Sequence, residues 1–126
     1  MKEIVRGMLA ALSAGDAAGF LAPMADDVAF TLIGTTAFSG TRHGKQAVID
    51  GVLTPLSERL EGGIRLTVER MIAEGDTVVS LSRGEAKTRD GREYNNTYAH
   101  VWRFAGGRVV EVREYLDTEL VTSALG

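Results

Sequence analysis

The sequence contains no cysteine, which excludes disulfides, thiol nucleophiles, thiolate zinc sites and iron–sulfur clusters. It has only two histidines. His43 and His100 stand far apart, and no His-Glu-x-x-His run accompanies them, so no metal site is expected. Positive charge is not in excess. The 14 Lys and Arg against 17 Asp and Glu give a formal charge of −3, which argues against sequence-independent binding of nucleic acid. No apolar run approaches the ~18 residues of a membrane span. The first residues, MKEIVRGMLAALSAGD, mix charge with apolar residues and lack a separate apolar stretch. They read as a helix rather than a secretion signal, and the cytoplasm is the expected address. No serine-centred nucleophile elbow occurs. The segment Gly40 to Gln46 is one residue short of a phosphate-binding loop, and no Ser or Thr follows Lys45, so that motif is excluded too.

What is present is an ordinary globular composition, 44% apolar and 25% charged over 126 residues. A chain of this length forms one domain, residues 1–126, and buries roughly two-thirds of its unfolded surface. Its 15 glycines against two prolines point to tight turns. Ile4, Val5, Met8, Leu9 and Leu12 fall on one stripe of a helix from Lys2 to Ala14. Asp16 caps a shorter helix carrying Phe20 and Leu21. A strand from Val28 to Ile33 follows, then a glycine-rich loop over 34–44. From Lys45, apolar residues recur at helical spacing as far as Leu60, with a kink expected at Pro55 and an end at Gly62-Gly63. Four strands complete the pattern: Ile64 to Ile72, Thr77 to Thr88, Glu93 to Phe104 and Arg108 to Leu116. Asp90-Gly91 and Gly106-Gly107 are strong hairpin signals. The order predicts an α+β fold, a curved antiparallel sheet wrapped around the N-terminal helices.

The third long strand is the most informative segment. Its period of two puts Tyr94, Asn96, Tyr98, His100, Trp102 and Phe104 on one face. Aromatics interleaved with Asn and His suit the wall of an amphipathic pocket; the alternative is a sheet face whose polar tips are satisfied locally. On the last strand, Glu114 shares a face with Val110, Val112 and Leu116, and Val109, Glu111, Arg113 and Tyr115 take the other. A carboxylate among apolar residues can serve as a general acid or base; the alternative is a strand-end Glu paired with an Arg. Asp117 is placed to cap a C-terminal helix through Leu125. Arg83 and Glu85 share a strand face, either towards the cavity or in solvent.

Four segments carry a family resemblance. They are Ala10 to Asp16 with Ala25-Asp26-Asp27-Val28; Gly34 and Ser39-Gly40-Thr41 with His43 to Val48; Ala73 to Val79; and Trp102-Arg103-Phe104 through Gly107-Arg108-Val109 to Arg113-Glu114-Tyr115-Leu116-Asp117. Together they resemble the nuclear transport factor two-like superfamily, which includes ketosteroid isomerases, limonene epoxide hydrolases and SnoaL-like polyketide cyclases. The resemblance implies a cone-shaped fold with an internal pocket, in a homodimer paired through the outer sheet face. The positions matching the isomerases' phenol, oxyanion-hole acid and base look like Met8, His100 and Thr31, so only His100 could polarise an oxygen there. Arg113-Glu114-Tyr115 is similar to the Arg-Asp-Tyr of the epoxide hydrolases, which implies that Glu114 enters the pocket. The remainder of that set would fall on Arg83 and Glu85, out of register. The segment Asp117 to Gly126 looks most like the cyclase group.

These observations lead to an expected function: a cofactor-free acid–base enzyme, of isomerase, cyclase or hydratase/hydrolase type, acting on a small apolar oxygenated molecule. Glu114 is the expected acid or base, with His100 and Tyr98 bonding the substrate oxygen. Asn96 would orient substrate or water, Trp102, Phe30 and Met8 would form apolar walls, and Thr31 and Arg83 would complete the site. The alternatives are a non-catalytic binding module of the same fold and a dimerising scaffold without a usable pocket.

Overall fold

The computed structural model describes all residues from Met1 to Gly126. Helix α1, Lys2–Ser13, buries Val5, Met8 and Leu9 on its apolar stripe. Helix α2, Ala17–Leu21, begins where the Asp16 carboxylate accepts the Gly19 N–H at 2.9 Å. Strand β1, Met24–Leu32, starts four residues earlier than its apolar pattern predicts. The expected loop contains a short strand, β2, Gly40–His43, paired antiparallel to β1. No alternation announces β2, because most of its side chains are exposed.

The next helical stretch comprises α3, Lys45–Val48, a π-helical turn, Ile49–Leu53, and α4, Thr54–Arg59. The irregularity lies before Pro55 rather than at it. Pro55 occupies the first turn of α4, where its missing N–H breaks no helical bond. Gly62-Gly63 does not end the helix. Strand β3, Leu60–Glu74, already runs through both glycines, whose positive φ angles of 74° and 75° interrupt the pairing with β4, Thr77–Thr88.

Strand β5, Thr97–Ala105, and β6, Arg108–Leu116, follow. They are joined by Gly106 and Gly107 at φ 58° and 77°, the two positive angles a type I′ hairpin needs. Helix α5, Thr118–Leu125, is capped by Asp117, whose carboxylate accepts the Leu120 N–H at 3.2 Å. No helix is long and apolar enough to cross a membrane.

The six strands form one sheet in the order β2-β1-β6-β5-β4-β3. Every pairing is antiparallel except β1 with β6. The sheet is curved and open, and the helices gather on one side, as the α+β expectation required. Two bulges reset its faces. Arg103 pairs with Glu111 and Phe104 with Val109, so Val110 is an extra residue. Val109, rather than Val110, therefore faces the core with Val112. In β3, Val68 pairs with Ser82 and Arg70 with Leu81, leaving Glu69 as the extra residue. Beyond it Met71 packs against the core, while Ile72 is exposed.

The concave side holds two apolar clusters. The larger has 13 buried residues, among them Val5, Met8, Phe20, Phe30, Trp102 and Phe104. The smaller has six: Leu60, Ile64, Tyr94, Tyr98, Val121 and Ala124.

Candidate functional site

The concave face of β5 carries Tyr98, His100, Trp102 and Phe104 in succession, all buried. The His100 ring is held between neighbours two residues away on either side. Its centroid lies 5.5 Å from Tyr98 in a stacked arrangement and 5.4 Å from Trp102. Across the ladder His100 stands directly opposite Glu114 of β6. The His100 Nε2 to Glu114 Oε2 distance is 3.0 Å, with the two side chains only 6% and 13% exposed. With its proton on Nε2 the ring donates to the carboxylate. Nδ1 is then buried without a partner, as is Ser82 Oγ on the neighbouring strand. The Trp102 indole N–H is satisfied by Ser80 Oγ at 2.9 Å.

Glu114 faces a cavity of about 40 Å³ enclosed by the sheet, α4, α5 and the loop after β1. Its walls are mainly apolar, with Leu32 and Leu116 from strands, Val52 and Leu56 from the helical stretch, and Val121 and Leu125 from α5. Glu114 is the one acidic residue in the lining, and Tyr94 and Tyr98 are its phenols. Burial pushes both phenols up from their ordinary pKa; for Tyr98 the neighbouring Tyr94 and the Glu114 charge push in the same direction. Both are therefore neutral O–H groups near neutral pH. Phe38 and the exposed Arg59 stand at the mouth. The Tyr98 ring occupies space that Gly84 leaves open, since a Cβ at residue 84 would lie 2.8 Å from Tyr98 Cε2.

The structure brings together three of the sequence-derived site residues. Glu114 and Tyr98 line the cavity; His100 lies behind Glu114, with Nε2 committed to the carboxylate rather than turned to the cavity. The other assignments need correction. Trp102, Phe30 and Met8 sit on the right face of their elements but belong to the closed 13-residue core. Asn96 is a staple. Its Nδ2 donates to Tyr94 Oη and to the Asp117 carbonyl, both at 3.1 Å, and its Oδ1 accepts the N–H groups of Thr97 and Asp117 at 2.8 and 3.0 Å. Both amide hydrogens and both carbonyl lone pairs are used, so nothing remains to orient substrate. The same bonds delay the start of β5 to Thr97, past the expected Glu93. Arg83 lies on the outer sheet face, 3.2 Å from the bulged Glu69, and Glu85 is exposed. Thr31 faces outwards as well, its hydroxyl 2.8 Å from that of Thr41.

The mouth is the part that sequence reasoning missed. Phe38 is an isolated aromatic in a glycine-rich segment, which was its one signal. Its loop is tied down by Arg42, whose Nη1 donates to the Phe38 carbonyl at 2.6 Å and to that of Gly40 at 3.2 Å. The Arg42 side chain lies across Gly51 in the π-helical turn, where a Cβ would collide with Arg42 Nε. No group of three or more His, Asp or Glu side chains comes together to hold a metal.

No protein of curated function matches the sequence. Among solved structures, an NTF2-like protein of unknown function from Burkholderia pseudomallei is 28% identical and superposes with a TM-score of 0.88, covering 98% of this chain and 95% of that one. TerC, crystallised with polyporic acid, is 22% identical with a TM-score of 0.85, over 98% and 95%. A protein from Jannaschia sp. CCS1, described as a SnoaL-like polyketide cyclase, is 18% identical with a TM-score of 0.79, over 98% and 92%. The latter two identities speak for the fold alone. The SnoaL-like domain family matches residues 5–112. With the sheet order, the concave cavity and this match in agreement, the chain belongs to the SnoaL-like domain family and has the NTF2-like fold.

Proposed function

We propose that the chain is an acid–base enzyme of cyclase or isomerase type, acting without a cofactor on a small apolar molecule that carries a carbonyl oxygen. The observation that supports this reading is the Glu114 carboxylate, directed at an apolar cavity and oriented by His100 at 3.0 Å. In the proposed step a Glu114 oxygen takes a proton from the carbon beside the substrate carbonyl, and the C–H electron pair moves into an enolate. The neutral phenols of Tyr94 and Tyr98 line the same cavity as the carboxylate and would donate to the developing oxyanion. His100 acts as a positioning residue, holding the carboxylate through Nε2. The enolate then either attacks a second carbonyl within the same molecule, whose oxygen takes the proton from Glu114, or takes that proton back at another carbon. Ring closure gives the cyclase outcome and proton return gives the isomerase outcome.

Turnover of cyclisable diketones and of β,γ-unsaturated ketones by the wild type and by Glu114→Gln tests the proposal. Loss of about 100-fold in kcat is expected for a general base. Unchanged turnover would remove Glu114 from the chemistry. The second reading is a binding module, favoured by Met8 and Thr31 at the positions of the isomerases' phenol and base. It predicts saturable binding with no conversion.

We also propose a homodimer through the outer sheet face. Ile72 and Tyr115 are exposed there at 45% and 39%, beside half-buried Leu81 and Val101. Sedimentation of Leu81→Glu should report monomer where the wild type reports dimer.

A further inference from the structure

Arg59 is the only cation that lines the cavity, and it is exposed to solvent where the Glu114 side chain is only 13% exposed. It ends α4, where its guanidinium carbon stands 4.7 Å above the centre of the Phe38 ring. Its Nε donates to the Leu125 carbonyl at 3.3 Å and its Nη1 to the Pro55 carbonyl at 3.5 Å. Both bonds are long, and Nη2 makes none. None of the six ion pairs in the molecule involves Arg59. A guanidinium presents five donors in a planar fork that matches a carboxylate. This one rests on an aromatic face and two carbonyl oxygens, all of which an anion would outcompete.

The charges along the cavity are therefore ordered. A cation with free donors stands at the mouth and a carboxylate lies at depth, with apolar wall between. An anionic group would be repelled by Glu114 and attracted by Arg59, so a ligand with one acidic end is oriented before it reaches the inner groups.

From this we infer that Arg59 is a specificity residue, and that the pocket takes apolar carboxylic acids, with the carboxylate held at the mouth and the reacting end inward. The inference rests on the acid–base reading of the site, but its test does not depend on turnover. Benzoate and benzamide have nearly the same shape and differ in charge. Their dissociation constants, measured by ligand-observed NMR titration on the full chain, should favour benzoate by about tenfold, equivalent to about 1.4 kcal/mol. Arg59→Gln should abolish that preference, leaving benzamide binding nearly unchanged. Arg59→Lys, which keeps the charge, should retain part of it and serves as the folding control. Glu114→Gln should keep or increase the preference, because it removes the inner negative charge. Equal affinities in the wild type, no benzoate binding at millimolar concentration, or a preference that survives Arg59→Gln would each overturn the inference. Loss of turnover in Glu114→Gln with equal benzoate and benzamide affinities would leave the acid–base reading standing and the Arg59 inference refuted.

Discussion

A single strand, β5, builds two different interiors. Towards its C-terminal end Trp102 and Phe104 enter a closed core whose only polar side chain in their immediate partnership is Ser80, spent on the indole N–H. Towards its start Tyr98, with Tyr94 just before the strand, surrounds a small cavity. His100 is the seam between them, stacked on both sides. The difference lies in what covers each half. The regular helix α1 covers the first with a continuous apolar stripe. A broken helical stretch, α5 and a loop cover the second, and these pieces meet imperfectly. Close packing gives stability, and the imperfect closure gives a place for a ligand.

The largest effect should come from breaking the closed half. Trp102→Ala should cost about 3–5 kcal/mol in urea unfolding, whereas Leu56→Ala, at the cavity wall, should cost about 1 kcal/mol because its side chain is already partly unpacked. Equal costs would mean that the two halves are packed alike. Glu114→Gln is expected to lower turnover about 100-fold, equivalent to about 2.7 kcal/mol of barrier, with a stability change under about 1 kcal/mol. A stability loss rivalling that of Trp102→Ala would make the His100–Glu114 pair structural. Gly84→Ala should cost about 1–3 kcal/mol by overpacking, because its Cβ would press on Tyr98 at 2.8 Å and on Ile64 Cδ1 at 3.0 Å. Its ligand affinity should change with its stability, since Tyr98 must move.

The smallest effect is electrostatic. Burial raises the Tyr98 pKa above its ordinary value of 10.0. Above pH 10 the unfolded chain therefore releases a phenolic proton that the folded chain retains. Stability should be flat in this respect below about pH 10 and fall above it, by up to about 1.4 kcal/mol per pH unit. Tyr98→Phe should make the alkaline decline shallower, as read from urea midpoints at successive pH values.

Much of this organisation was legible in the sequence. The stripe of α1, the glycine turns and the α+β order all emerged from periodicity, because each element buries one face. The face arguments also put Glu114 and His100 on the concave side, where they meet. Position along the strand was not legible. Alternation tells which side a residue faces and nothing of what lies above it, so Trp102, Phe30 and Met8 could not be separated from the cavity wall. Asn96 looked like a pocket group because its type and face were right; two of its four bonds go to Asp117, which lies 21 residues on. The parallel pairing of β1 with β6 leaves no local trace, and β2 is too short and exposed to have a pattern. Nothing in the sequence marks Arg59, since the cavity mouth is assembled from segments distant in sequence.

The extra residue at Val110 has a consequence for how this site can change. Val109 is fixed in the core at one end of β6, and Glu114 reaches the cavity only because one unpaired residue shifts the phase of everything after it. Deleting Val110 would remove the bulge and leave Glu114 on the concave face with Val109 and Val112, whereas deleting Arg113 with the bulge kept would send Glu114 to the outer face and turn Tyr115 inward. A single-codon loss at a paired position would thus exchange the acid for a phenol inside the cavity, while the same loss at the bulge would leave the acid in place. The reactivity of the pocket is set by a counting step in the chain, and the fold itself places no bar on its reversal.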